Sequence, residues 1–165
     1  MLGLEAHIAG DHVGARAWFA LPTGMKPLRN GNLAFAYAVI EPILREEAGD
    51  TGALAKRCAE ISTNERYTGA QVPWHAAQFL SGKLSAEEFL AQPNRLGARA
   101  WLLACSGIVA ERRGDTAQAQ TAYRDYLALP PLRHGLSIDP LMDRFVAWRV
   151  ERLAAGKGWS GSTTP

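Results

Sequence analysis

Gly107-Ile108-Val109-Ala110-Glu111-Arg112-Arg113-Gly114-Asp115-Thr116-Ala117-Gln118-Ala119-Gln120-Thr121-Ala122-Tyr123 is the stretch that decides the fold. Apolar and small residues recur at three- and four-residue spacing on both sides of Gly114-Asp115, the pattern of two amphipathic helices joined by a tight turn. Glycine takes the left-handed conformation that ends the first helix, and the aspartate can cap the second. The same unit occurs again at the start of the chain. Shifting residues 3–31 by 104 positions onto 107–135 needs no gap and pairs nine identical residues: Gly3/Gly107, Ala6/Ala110, Gly10/Gly114, Asp11/Asp115, Ala15/Ala119, Pro27/Pro131, Leu28/Leu132, Arg29/Arg133 and Gly31/Gly135. Phe19 pairs with Tyr123 as an aromatic match. The chain is built by internal repetition.

Working outward, Gly49-Asp50 and the segment Ser81-Gly82-Lys83-Leu84-Ser85 supply two more turns of the same kind. The four turn glycines, at 10, 49, 82 and 114, are separated by 39, 33 and 32 residues. Two helices plus their turns occupy about 34 residues in a helical repeat array. Helix starts are well marked. Ser85 with Glu88 forms a capping box ahead of Phe89, Asp115 with Gln118 repeats the arrangement, and Asp139-Pro140 places a capping carboxylate before a proline at the first helical position. No stretch alternates strictly over five residues, so strands are not expected. The spacing predicts helices near 2–9, 12–20, 32–47, 51–62, 73–81, 85–92, 96–113, 116–128 and 140–155, an all-α fold. Pro42, inside the third of these, should kink or split it. Residues 156–165, rich in Gly, Ser and Thr, read as a flexible tail.

Small residue, turn glycine, Ala-x3-aromatic and then proline eight positions on is the pattern of the tetratricopeptide repeat, which residues 1–155 resemble. The fourth unit supplies Gly107, Gly114, Ala119, Tyr123 and Pro131, and the first supplies Gly3, Gly10, Ala15, Phe19 and Pro27. The units around Gly49 and Gly82 keep the hairpin but put Leu54 and Glu87 in the small-residue slot, and Cys58 and Ala91 in the aromatic one. The run Trp74 to Leu90, followed by Gly107 and Gly114-Asp115, is similar to bacterial repeat lipoproteins of the NlpI type, without their signal and lipidated cysteine. The resemblance implies a right-handed superhelical stack of antiparallel hairpins, closed by helix 140–155 as a cap. It also implies a concave groove, lined by first helices, that holds a protein or peptide partner. Its groove positions map onto Trp101, Ala104, Ile108, Glu111 and Arg112, with Leu4 and His7 from the first unit, and packing of Trp101 against the preceding hairpin is the alternative.

The 165 residues are 47% hydrophobic and 21% charged, with a net charge of +2, which suits one globular domain. Residues 1–94 hold 8 Lys/Arg against 10 Asp/Glu, and residues 95–155 hold 9 Arg against 6, too even a balance to call for a nucleic-acid partner. No apolar run is long enough to span a membrane, so no membrane insertion is expected. The start has neither the basic nor the apolar region of a secretion signal, which favours a cytoplasmic setting, or a periplasmic one if residues precede Met1. Cys58 and Cys105 lie far apart without zinc-type spacing, and no cofactor is expected.

Catalytic patterns are few. His7 and His12 flank the Gly10 turn, which should aim them apart, so no metal pair is expected. Glu46-Glu47 and Glu87-Glu88 are adjacent on helices and point about 100° apart, the pattern of solvated faces and not of an acid/base pair. Cys105 reads as a buried filler, Trp74 as an interhelix plug beside His75, and Arg112-Arg113 as charges suited to a helix C-terminus, with an anion clamp as the alternative. The reading is a non-catalytic protein-interaction module. The alternatives are a small helical enzyme or ligand-binding protein with a pocket near His75, Glu87 and Arg95, and a homo-oligomer joined through the first unit.

Overall fold

The computed structural model describes residues 2–20, 34–63, 72–91, 97–130 and 140–159. They form helices α1 (Leu2–Ile8), α2 (His12–Ala20), α3 (Glu41–Glu47), α4 (Ala53–Thr63), α5 (Val72–Leu80), α6 (Ala86–Leu90), α7 (Ala98–Arg112), α8 (Thr116–Leu127) and α9 (Pro140–Ala154). A π-helical turn, Ala36–Ile40, runs directly into α3. There is no strand among the described residues, as the periodicity predicts. The expected hairpins are all present: α1 packs on α2, α3 on α4, α5 on α6, and α7 on α8.

The turn chemistry works as read at both matched units. Gly10 and Gly114 take φ of +84° and +76°, which a side chain would resist. Asp11 accepts a hydrogen bond from the Gly14 amide at 2.8 Å, and Asp115 accepts one from the Gln118 amide at 3.0 Å. The Ser85–Glu88 capping box closes in both directions. The second turn departs from the pattern. Asp50 pairs with Arg45 on the preceding helix, and Glu46 reaches across to cap the Leu54 amide at 3.0 Å. The cap expected from Asp139 lies outside the described residues.

Pro42 splits its helix as expected, and the form of the break has a cause. Proline offers no amide hydrogen to the carbonyl four residues back. The turn upstream widens, so that the Glu41 amide bonds to the Ala36 carbonyl five residues back, and α3 restarts with Pro42 in its first turn.

Packing centres on α7. Ala98, Ala100, Trp101, Leu102, Ala104, Cys105, Gly107, Ile108, Ala110 and Glu111 are buried over most of its circumference, and Arg99, Leu103, Ser106 and Arg113 form one partly exposed stripe. A helix with so wide a buried face lies largely inside the fold. Gly107 is required there: a Cβ added to it would sit 2.3 Å from Cε1 of Tyr123, which is fully buried. The close approach is thus between α7 and the aromatic ring of its own hairpin partner. Helix α9 packs on α8 and on the π turn, and buries Leu141, Met142, Phe145, Val146, Trp148, Arg149 and Leu153. It lies across the first helices of three hairpins, reaching Glu5 and His7 of α1, Glu47 of α3 and Glu111 of α7. It thus packs on the last hairpin while its side chains also reach the first helices of the others. Within the segment expected as a tail, Trp159 is buried at 9% exposure against the guanidiniums of Arg112 and Arg149. No described helix is long and apolar enough to cross a membrane.

Candidate functional site

The most concentrated polar chemistry lies inside the fold. Arg149 projects from the middle of α9 and is completely buried. Its Nε donates to Glu111 Oε2 at 2.8 Å, its Nη2 to Glu111 Oε1 at 2.6 Å, and its Nη1 to Glu47 Oε1 at 2.5 Å. The fork thus grips one carboxylate with two donors and a second with the third, a geometry that a lysine could not reproduce. Tyr123 donates its hydroxyl to Glu111 at 2.7 Å. The other oxygen of Glu47 accepts from His7 Nε2 at 3.0 Å and from Arg152 Nη1 at 3.3 Å. His7 stacks edge-on against Trp148 with ring centres 5.5 Å apart.

These contacts set the ionisation states. Burial alone would push the Glu47 carboxyl up, but the His7 hydrogen bond and the Arg149 and Arg152 guanidiniums outweigh it and hold Glu47 at about 2. Burial and the neighbouring Glu111 push the Tyr123 hydroxyl well above its ordinary range. Arg149 stays charged, because its two carboxylates overcome the cost of desolvation. Both carboxylates are saturated by cationic donors, so they suit positioning better than proton transfer.

The solvated-face reading of Glu46-Glu47 is corrected here. The two side chains are 7% and 2% exposed, because α9 and Arg112 bring positive charge onto them from more than 60 residues away in sequence. The reading of His7 and His12 is corrected as well. The Gly10 turn folds α2 back so that the two rings lie 4.7 Å apart, with His12 Nδ1 3.3 Å from His7 Nδ1.

Of the seven positions expected along a groove, six are buried: Leu4, His7, Trp101, Ala104, Ile108 and Glu111. Trp101 packs edge-on against Phe35 at 5.0 Å, and His7 and Glu111 engage α9 and its partner Glu47. Only Arg112 reaches solvent, at 37% side-chain exposure, and it faces Glu46 at 3.6 Å. Phe35 covers Trp101, Arg149 of α9 engages Glu111, and α5 and α6 pack on α7 from elsewhere. A signal was in the sequence: the polar side of α7, Arg99, Ser106 and Arg113, lies away from Trp101, Ala104 and Ile108, which sit on its wide small and apolar face.

Elsewhere, a cleft of about 410 Å³ opens between α4, α5 and α7, with Leu54, Leu80 and Val109 along it and Arg112 and Arg113 among its polar groups. The Cys58 thiol lines it, pushed up by burial, and Cys105 is a fully buried filler as expected. His75 is buried against Phe89 and Trp74, while Glu87 is exposed on α6. Arg95 lies outside the described residues. Among the described residues no group of three or more His, Cys, Asp or Glu could hold a metal ion.

Comparison of the chain with protein-family models, with curated proteins and with solved structures returned no match.

Proposed function

We propose that the chain is a non-catalytic protein-interaction module, a tetratricopeptide-like set of hairpins whose first-helix face binds an amphipathic helix. One observation carries this reading: that face already holds such a helix. Helix α9 presents Phe145, Trp148 and Arg149 at spacings of three and four residues, the register of helix-in-groove recognition. The receiving side chains, His7, Glu47 and Glu111, come from three different hairpins. A partner for this face would be a protein segment of the same chemistry, with aromatic anchors and an arginine for the paired carboxylates.

A labelled peptide spanning residues 140–159 tests the reading. A Phe145→Ala chain that keeps its helical circular dichroism should bind the peptide at least tenfold more tightly than wild type, whose own α9 competes at high effective concentration. Absence of binding to both chains would reject it. A second reading, association of two copies through the first hairpin, is favoured by the exposure there of Leu2, Val13 and Trp18, at 57%, 70% and 46%. Light scattering that gives a monomer at high concentration would reject that one.

A further inference from the structure

We propose that His7 and His12 form a binding site for a tetrahedral divalent cation of the Zn²⁺ type, supported from behind by Glu47. Glu47 is ion-paired with Arg149 and Arg152 and accepts from His7, so Nε2, the atom 3.0 Å from Glu47, is the donating nitrogen of His7. That leaves Nδ1 of His7 without a proton, its lone pair engaged only by Nδ1 of His12 at 3.3 Å. Two imidazole nitrogens bound to one tetrahedral zinc at about 2.05 Å lie about 3.3 Å apart, so the pair already has the separation such an ion imposes.

Three further features match what a metal site requires. A histidine ligand is normally oriented by a carboxylate on its other nitrogen, the role that Glu47 fills. His7 is buried and braced by Trp148, which fixes the first ligand before any ion arrives. His12 is exposed on the first turn of α2 and gives the ion a way in from solvent. Without metal, His12 Nδ1 carries the proton and donates it to His7. Binding requires only that the proton move to His12 Nε2, so no net charge leaves the pair. The positive charges of Arg149 and Arg152 beyond Glu47 are matched by Glu47 and Glu111. No third protein ligand is present among the described residues, so water or an exogenous ligand fills the remaining positions. This gives an open site of modest affinity and not a closed structural one.

Titration of the full chain with Zn²⁺ alone, followed by calorimetry and by thermal melting, tests the site. Wild type should bind one ion and melt at higher temperature as metal is added. His12→Ala, an exposed change that leaves the fold intact, should weaken binding at least tenfold and abolish the rise. Glu47→Gln, where folded, should lower affinity tenfold to a hundredfold by loosening His7. No binding by wild type at millimolar Zn²⁺, or equal binding and equal stabilisation in wild type and His12→Ala, would overturn the proposal.

Discussion

The first and fourth hairpins share their turn, their capping aspartate and their small-residue positions, yet they end in different surroundings. Helix α8 lies between α7 and α9 and buries Ala119, Ala122, Tyr123 and Tyr126. Helix α2, its counterpart 104 residues earlier, exposes His12, Val13, Arg16, Ala17 and Trp18. Ala122 at 8% exposure corresponds to Trp18 at 46%. The first helices behave more alike. His7 and Glu111 occupy equivalent positions, three residues before the turn glycine, and both are drawn into one buried network, His7 through Glu47 and Glu111 through Arg149. The difference teaches that the repeat fixes the hairpin, whereas α9 decides which hairpin becomes core.

The sharpest way to break this comparison is at Gly107. Gly107→Leu should cost well over the roughly 3 kcal/mol that marks severe overpacking, because even a Cβ meets the Tyr123 ring at 2.3 Å. A melting temperature within a degree of wild type would remove the assigned contact. Arg149→Ala comes next: it leaves Glu111 as a buried charge without its cation, takes one of the partners of Glu47, and should cost about 3–5 kcal/mol in urea denaturation. A loss below about 1 kcal/mol would mean that α9 does not dock as described.

Acid probes the His7 side of the network. Glu47 is held at about 2, below its usual 4.5, so its contribution is fully present above 4.5 and is lost as pH falls from there toward 2. The loss should be on the order of 3 kcal/mol in wild type and should vanish in Glu47→Gln. An unchanged slope in that variant would place the acid sensitivity elsewhere. The smallest effects distinguish the two second helices. Tyr126→Phe, which deletes a 2.6 Å hydrogen bond to Asp143 on α9, should cost about 1 kcal/mol, whereas Trp18→Ala on uncovered α2 should stay within about 0.5 kcal/mol. A larger loss at Trp18 than at Tyr126 would reverse the comparison.

Much of the fold was legible because its signals are local. A glycine that must adopt positive φ, an aspartate three residues before the amide it caps, and a proline without an amide hydrogen each act within a few residues, and Gly114, Asp115 and Pro42 did as read. The site was far less legible. The amphipathic pattern of 140–155 shows that one face is buried but not what it is buried against. Nothing near Glu47 announces Arg149, 102 residues away. The histidine pair is not legible from spacing, because the Gly10 turn reverses the chain tightly enough to stack the last turn of α1 on the first of α2. The place of Trp101 in the repeat leaves open a groove or the preceding hairpin, and its 8% exposure beside Phe35 shows it packed within the fold.

The widened turn before Pro42 sets the rotational phase of everything upstream of it. A π turn holds one residue more than an α turn, so it rotates the preceding segment by about 100° relative to an uninterrupted helix. Phe35 meets Trp101 and Phe145 in that rotated frame, while Glu47 downstream still faces Arg149. Deleting one residue from 36–40 together with Pro42→Ala would yield a more regular helix in a less stable protein, since the phenyl ring would swing away from its aromatic neighbours. An imino acid two turns downstream thereby selects the contacts of Phe35.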